Sequence, residues 1–248
     1  MVGTTNMDTQ TQAQIFLADQ RGCSQVEHLR SMHCFNFGHY VAEGRQPFGA
    51  LQLLNDDLLR PGHRVRMGMD TNTEVIILPL VGGLEYKSSV GDGFLEAGQA
   101  GRFSLNNGMC YEIINPYQTE FINYLAIWLT NPGPNFTPGL AQSSFDLQTK
   151  NKLIFLFDLP TDVPTDPTFR GFVGRYDGRA EDVYQPYPAV DPLERGVFVF
   201  VLSGAFEVQN RLLHERDGLT LAAIQDNAVD FEALSNDALL LVLDIPLI

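Results

Sequence analysis

Two stretches of the chain read almost alike: "EVIILPLVGGLEY" at 74–86 and "GVFVFVLSGAFEV" at 196–208. Each is an unbroken apolar run, then a glycine corner, then an alternating segment. The likeness continues downstream, where "LEAGQAGRFS" (95–104) faces "LHERDGLTLA" (213–222) and "YLAIWL" (124–129) faces "LLLVLD" (239–244). Self-similarity at a long period means one structural unit used twice. Apolar runs of strand length without alternation are expected to be buried on both faces. Gly82-Gly83 reads as the turn of a hairpin. "KLIFLF" (152–157) and "LTLAAI" (219–224) add strands, strong helical periodicity is absent, and "FGALQLLNDD" (48–57) fits a strand or a short helix. Open sheets leave unpaired edges, so each half must close on itself or pack against another sheet. The fold class is therefore all-β, expected as two tandem antiparallel β-barrels of jelly-roll type. "TNPGPNFTPGLAQSS" (130–144) suits a connector and divides the chain into 1–135 and 136–248, while 159–196 is loop-rich.

The charge narrows the partners. Thirty acidic against 16 basic residues leave a net charge of −14, which disfavours nucleic acid and anionic membranes. Cys23, Cys34 and Cys110 are odd in number and form no CxxC, which argues for a reducing compartment. The N-terminal stretch has no basic and apolar regions of a secretory signal, and no apolar run reaches membrane-spanning length. A cytoplasmic location is expected by elimination, with monomer and homodimer both open.

Five segments then carry a resemblance: "IFLADQRG" (15–22), "SMHCFNFGHY" (31–40), "FGALQLLNDDLLRPGHRV" (48–65), "EVIILPLVGGLEYKSSVG" (74–91) and "RFSLNNGM" (102–109). They resemble the pirin family, most closely its bacterial members. The resemblance implies a bicupin. It also implies, in the N-terminal barrel, one divalent metal, often iron, held by three histidines and a glutamate: an H-x-H pair before the first long strand and an H-x-E pair after the segment resembling "RFSLNNGM". By position these four ligands fall on Gly68 and Asp70, and on Tyr111 and Ile113.

Residues two apart on a strand share a face. Gly68 with Asp70, and Tyr111 with Ile113, are therefore expected to line one cavity. Of the four, Asp70 alone is a convincing ligand, because a neutral phenol binds metal weakly. The cavity is then either open to a small organic molecule or filled by Tyr111 and Met69. His33 matches a family histidine outside the metal set and reads as a structural hydrogen-bonding residue. His28, His39, His63 and His214 form no ligand motif. Glu74 and Asn72 match family residues and fit either the cavity lining or hydrogen bonds at a ladder end. "GDGFLEAGQAG" (91–101) reads as a turn, and "YDGRAEDVYQPY" (176–187) as a surface loop or a pocket mouth. Two functions stay in play. One is a binding or regulatory protein without a cofactor, acting on a small molecule or a protein. The other is an iron-dependent dioxygenase acting on quercetin, as some pirins do, which needs the metal the four positions no longer supply.

Overall fold

Val75 and Ile77 pack in one apolar cluster while Ile76 and Leu78 pack in another, and Val197, Val199 and Val201 likewise part from Phe198 and Phe200. A strand whose alternate side chains enter two different cores must lie in an inner layer. This is the two-sided burial expected from the apolar runs. The computed structural model describes residues 11–130, 136–159, 169–188 and 194–247, so parts of the 130–144 connector and of the 159–196 stretch lie outside the described residues.

Four antiparallel sheets stack in the order outer, inner, inner, outer. The first inner sheet runs Gly139–Ser144, Gln99–Leu105, Thr73–Val81, Ile122–Thr130, Leu51–Leu59, Leu29–His33, Gly22–Gln25. Its outer partner runs Arg64–Gly68, Cys110–Ile114, Leu84–Ser88, Gly91–Leu95. The second inner sheet runs Gln12–Phe16, Gly218–Ala222, Arg195–Ser203, Ala238–Pro246, Phe169–Tyr176, Lys152–Leu159, and its outer partner Glu181–Tyr184, Val229–Ala233, Ala205–Val208, Arg211–His214. One cluster fills each of the three interfaces. The middle one joins Leu54, Ile76 and Leu125 of the first half to Phe198, Phe200 and Leu241 of the second. Among the described residues there is no α-helix, and no helix is long and apolar enough to cross a membrane. Among the described residues no sheet closes into a barrel, since each keeps two edges.

The repeat is real at backbone level. Thr73–Val81 and Arg195–Ser203 are both central inner strands, and each passes through a left-handed glycine, Gly82 (φ 76°) or Gly204 (φ 78°), into an outer sheet. Gly82-Gly83 is thus a corner and not a hairpin: Leu84–Ser88 pairs with Cys110–Ile114 and Gly91–Leu95, not with the strand before it. The apolar run must be covered on both faces, so the chain leaves its sheet to supply the cover. "FGALQLLNDD" resolves as strand. Two strands cross the 135/136 division. Gln12–Phe16 pairs with Gly218–Ala222 in the second half's inner sheet, and Gly139–Ser144 pairs with Gln99–Leu105 in the first half's.

Candidate functional site

The resemblance implies a site inside the first half, whose interior lies between the first inner sheet and its outer partner, so the register of Cys110–Ile114 decides what faces inward. Tyr111 lies opposite Met67 and Ser88, and Ile113 opposite Val65 and Tyr86. Directly opposed residues share a face. Tyr111 and Ile113 are buried in the apolar interior with Phe103 and Tyr86. Gly68 pairs with Cys110, on the other face, and a Cβ built there would meet nothing within 4 Å. Asp70 is exposed. The four positions therefore do not converge. Gly68 and Asp70 look outward, and the residues that look inward beside Tyr111 are Met67, half-buried, and Met69, buried. The physical reason is register. Each i, i+2 pair is sound by itself, but a slip of one residue between pairing strands turns a whole set to the opposite face.

The interior is filled, not hollow, around Tyr111. Its ring stacks on Phe103 with the planes 1° apart, and the Trp128 Nε1–H donates to its hydroxyl at 3.0 Å. Burial holds the phenol well above its ordinary pKa, so it stays neutral. Thioethers, a neutral phenol and an isoleucine do not fit a site of three imidazoles and a carboxylate. Among the described residues no group of three or more His, Cys, Asp and Glu side chains is placed to hold a metal ion.

Polar chemistry sits on the adjacent strands instead. His33, fully buried, meets Asn55 Oδ1 through Nδ1 at 2.8 Å and Ser24 Oγ through Nε2 at 2.8 Å. Burial lowers its pKa, so the ring is neutral and bridges three strands, as expected of a structural histidine. Asp57 was not singled out by sequence reasoning. It is 7% exposed and pushed up to about 7 by burial, against the opposing hydrogen bonds of Ser31 and Tyr124, and its Oδ1 has no hydrogen-bond partner. The signal was present in "LQLLNDDLL": Asn55 and Asp57 occupy the same face as Leu53 and Leu59. Glu74 takes a hydrogen bond from its cross-strand neighbour Ser104 at 2.7 Å, and Asn72 Oδ1 accepts the Asn107 N–H at 3.3 Å.

The "Quercetinase C-terminal cupin domain" family model matches residues 188–245. A quercetin 2,3-dioxygenase of Escherichia coli K12 is 28% identical over 138 residues, which is 55% of this chain and 60% of that protein, so the match spans less than two thirds of that relative's length. A putative quercetin 2,3-dioxygenase of Pasteurella multocida is 24% identical over 90% of this chain and 96% of its own. In fold, the bacterial pirin YhhW of E. coli, solved in complex with nickel(II), superposes with a TM-score of 0.79 at 23% identity, covering 96% of this chain and all of that one. The four-sheet architecture is the fold of these solved structures, and the matched C-terminal domain and the relatives together support the resemblance to the pirin family of cupin proteins.

Proposed function

We propose that this chain is a pirin-type cupin without the metal chemistry of its dioxygenase-named relatives, working as a binding or regulatory protein. The observation that carries the reading is the inward set Met67, Met69, Tyr111 and Ile113, packed among Phe103, Tyr86 and Val75 with the Tyr111 phenol held neutral. An oxygen-using reaction of the quercetinase kind needs a metal to activate substrate or oxygen, and these side chains offer it no ligand set. On this reading each half, 1–135 and 136–248, is one cupin unit, a half-open sandwich of an inner and an outer sheet, and the pair makes a bicupin. The exchanged strands Gln12–Phe16 and Gly139–Ser144 tie the units together. The protein would work in the cytoplasm, as monomer or homodimer, on a small molecule or a protein.

The second reading, a dioxygenase with a rearranged iron site, draws on Asp57, a buried carboxyl with an unpaired oxygen in the same interior. Elemental analysis of untagged protein separates the two. The binding reading expects well below one equivalent of iron, nickel, copper, zinc or manganese and no oxygen uptake with quercetin. Stoichiometric metal that survives dialysis against chelator overturns it.

A further inference from the structure

On the face of the first inner sheet that carries the middle core, the apolar packing does not run to the end of the strands. Leu125 is fully buried there, whereas Leu58 and Val81 are 36% and 59% exposed. Arg30 pairs with Leu58, Leu58 with Asn123, and Asn123 with Val81, so these four side chains form one row across four strands. Met32 pairs with Asp56 in the next row. Above them runs the turn Ala18–Gln20 and Arg21, which leads from the second inner sheet into the first. Together with Phe121, 46% exposed, these residues line a cleft of about 770 Å³. That size is within the usual range of small-molecule sites.

Its chemistry is divided. Met32, Leu58, Val81 and Phe121 make an apolar floor. Asp56 is already satisfied: it takes Arg21 Nη1 at 3.2 Å, Asn123 Nδ2 at 2.7 Å and Arg216 Nε at 3.7 Å. Arg216 reaches across from the second half, also holds Asn123 Oδ1 at 3.4 Å and meets the exposed Glu215 at 3.8 Å, yet its Nη1 is buried without a hydrogen-bond partner. The Arg30 side chain is exposed and has no hydrogen bond or ion pair among the described residues. Asp19 is the other carboxylate on the lining, and it is exposed. Arginines concentrated against an apolar floor stand out in a chain with only 16 basic residues and a net charge of −14. A guanidinium fork matches a carboxylate, and a flat apolar body matches Phe121, Leu58 and Val81.

We infer that this cleft at the end of the first inner sheet, not the interior of the first half, is the ligand site, and that it takes a small aromatic carboxylate with the anion at Arg30 and the ring on Phe121. The inference rests on the binding-protein reading, and its test is separate from the metal measurement. Chelator-treated full-length protein is titrated with 2-naphthoate, followed by the fluorescence of the probe. Saturable binding is expected, and Arg30→Glu or Phe121→Ser should weaken it roughly tenfold or more. Both side chains are exposed, so both variants should fold, as melting curves will check. Arg179→Glu, in the second half and 90% exposed, should leave it unchanged. The uncharged 2-naphthalenemethanol should bind roughly tenfold more weakly than the carboxylate. No saturable binding, binding indifferent to Arg30→Glu, or equal binding of the uncharged analogue overturns the assignment. Each of these results leaves the metal measurement, and the reading it tests, as they stand.

Discussion

Asp57→Asn tests the interior most directly. Asp57 lies beside Tyr124 with one oxygen unpaired, and burial pushes its carboxyl from an ordinary value near 4 up to about 7. Below about pH 4 the carboxyl is protonated in both folded and unfolded chains and ionisation imposes no penalty. As pH rises from about 4 to about 7, the unfolded chain ionises while the folded one resists, so stability falls progressively. Above about pH 7 the loss is complete, on the order of 4 kcal/mol for a displacement of this size. Asparagine has the same shape and no charge to bury. Its amide N–H₂, placed where Oδ1 has no partner, costs about 1–3 kcal/mol at every pH. The variant should therefore be the less stable protein near pH 4.5 and the more stable one near pH 9. The swing of a few kcal/mol corresponds to something on the order of 10 °C in Tm for a chain of this size. His33, whose lowered pKa weakens the fold as pH drops below about 6.5, acts on parent and variant alike and cancels in the difference. The assay is thermal unfolding of both proteins at pH 4.5, 6, 7.5 and 9 at fixed ionic strength. A Tm difference that stays constant across the series would refute the buried, raised carboxyl and the argument built on it.

The remaining predictions concern register, charge burial and the repeat. Met67→His, Met69→His, Tyr111→His and Ile113→Glu together should give a protein whose Tm rises on adding nickel(II). The set with Gly68→His and Asp70→His in place of the methionine changes should not respond, and the reverse result would overturn the pairing of Gly68 with Cys110. Asp244 accepts Arg195 Nε at 2.9 Å, Arg195 Nη2 at 2.6 Å, the Tyr184 hydroxyl at 2.7 Å and the Tyr187 N–H at 2.8 Å, all buried or half-buried. Asp244→Ala removes the carboxylate that neutralises a buried guanidinium and should cost on the order of 3–5 kcal/mol in urea unfolding, where a loss below about 1 kcal/mol would contradict the role. Gly204→Ala should destabilise by more than about 1 kcal/mol, because its φ is 78° and the new Cβ would run into Ser235 Oγ. Gly68→Ala should stay within about 0.5 kcal/mol, since its Cβ meets open space; equal losses at the two glycines would argue against both placements.

What the chain's own residues determine is the number and kind of layers. Runs such as "VIILPL" and "VFVFVL" have no polar face to give to water, so they must be inner strands, and their recurrence with a shared glycine corner makes the unit appear twice. The structural role of His33 was also legible, because a buried imidazole needs partners and the strands on either side supply Ser24 and Asn55. Other features were settled only by pairing between distant segments. Side-chain alternation is local to a strand, but the phase of Arg64–Gly68 against Cys110–Ile114 is set by hydrogen bonds between strands far apart in sequence. That phase put Met67, not Gly68, across from Tyr111. The same holds for the corner at Gly82, whose two flanking strands would read alike whether they paired with each other or with different sheets. It holds too for Asp57, whose carboxyl is unusual only because Tyr124 and the outer sheet enclose it. The cleft at Arg30 belongs wholly to tertiary structure: its lining comes from the turn at Ala18 and four strands of one sheet, and Arg216 braces it from the other half. No short stretch of sequence contains that combination, because its members meet only when the two inner sheets pack.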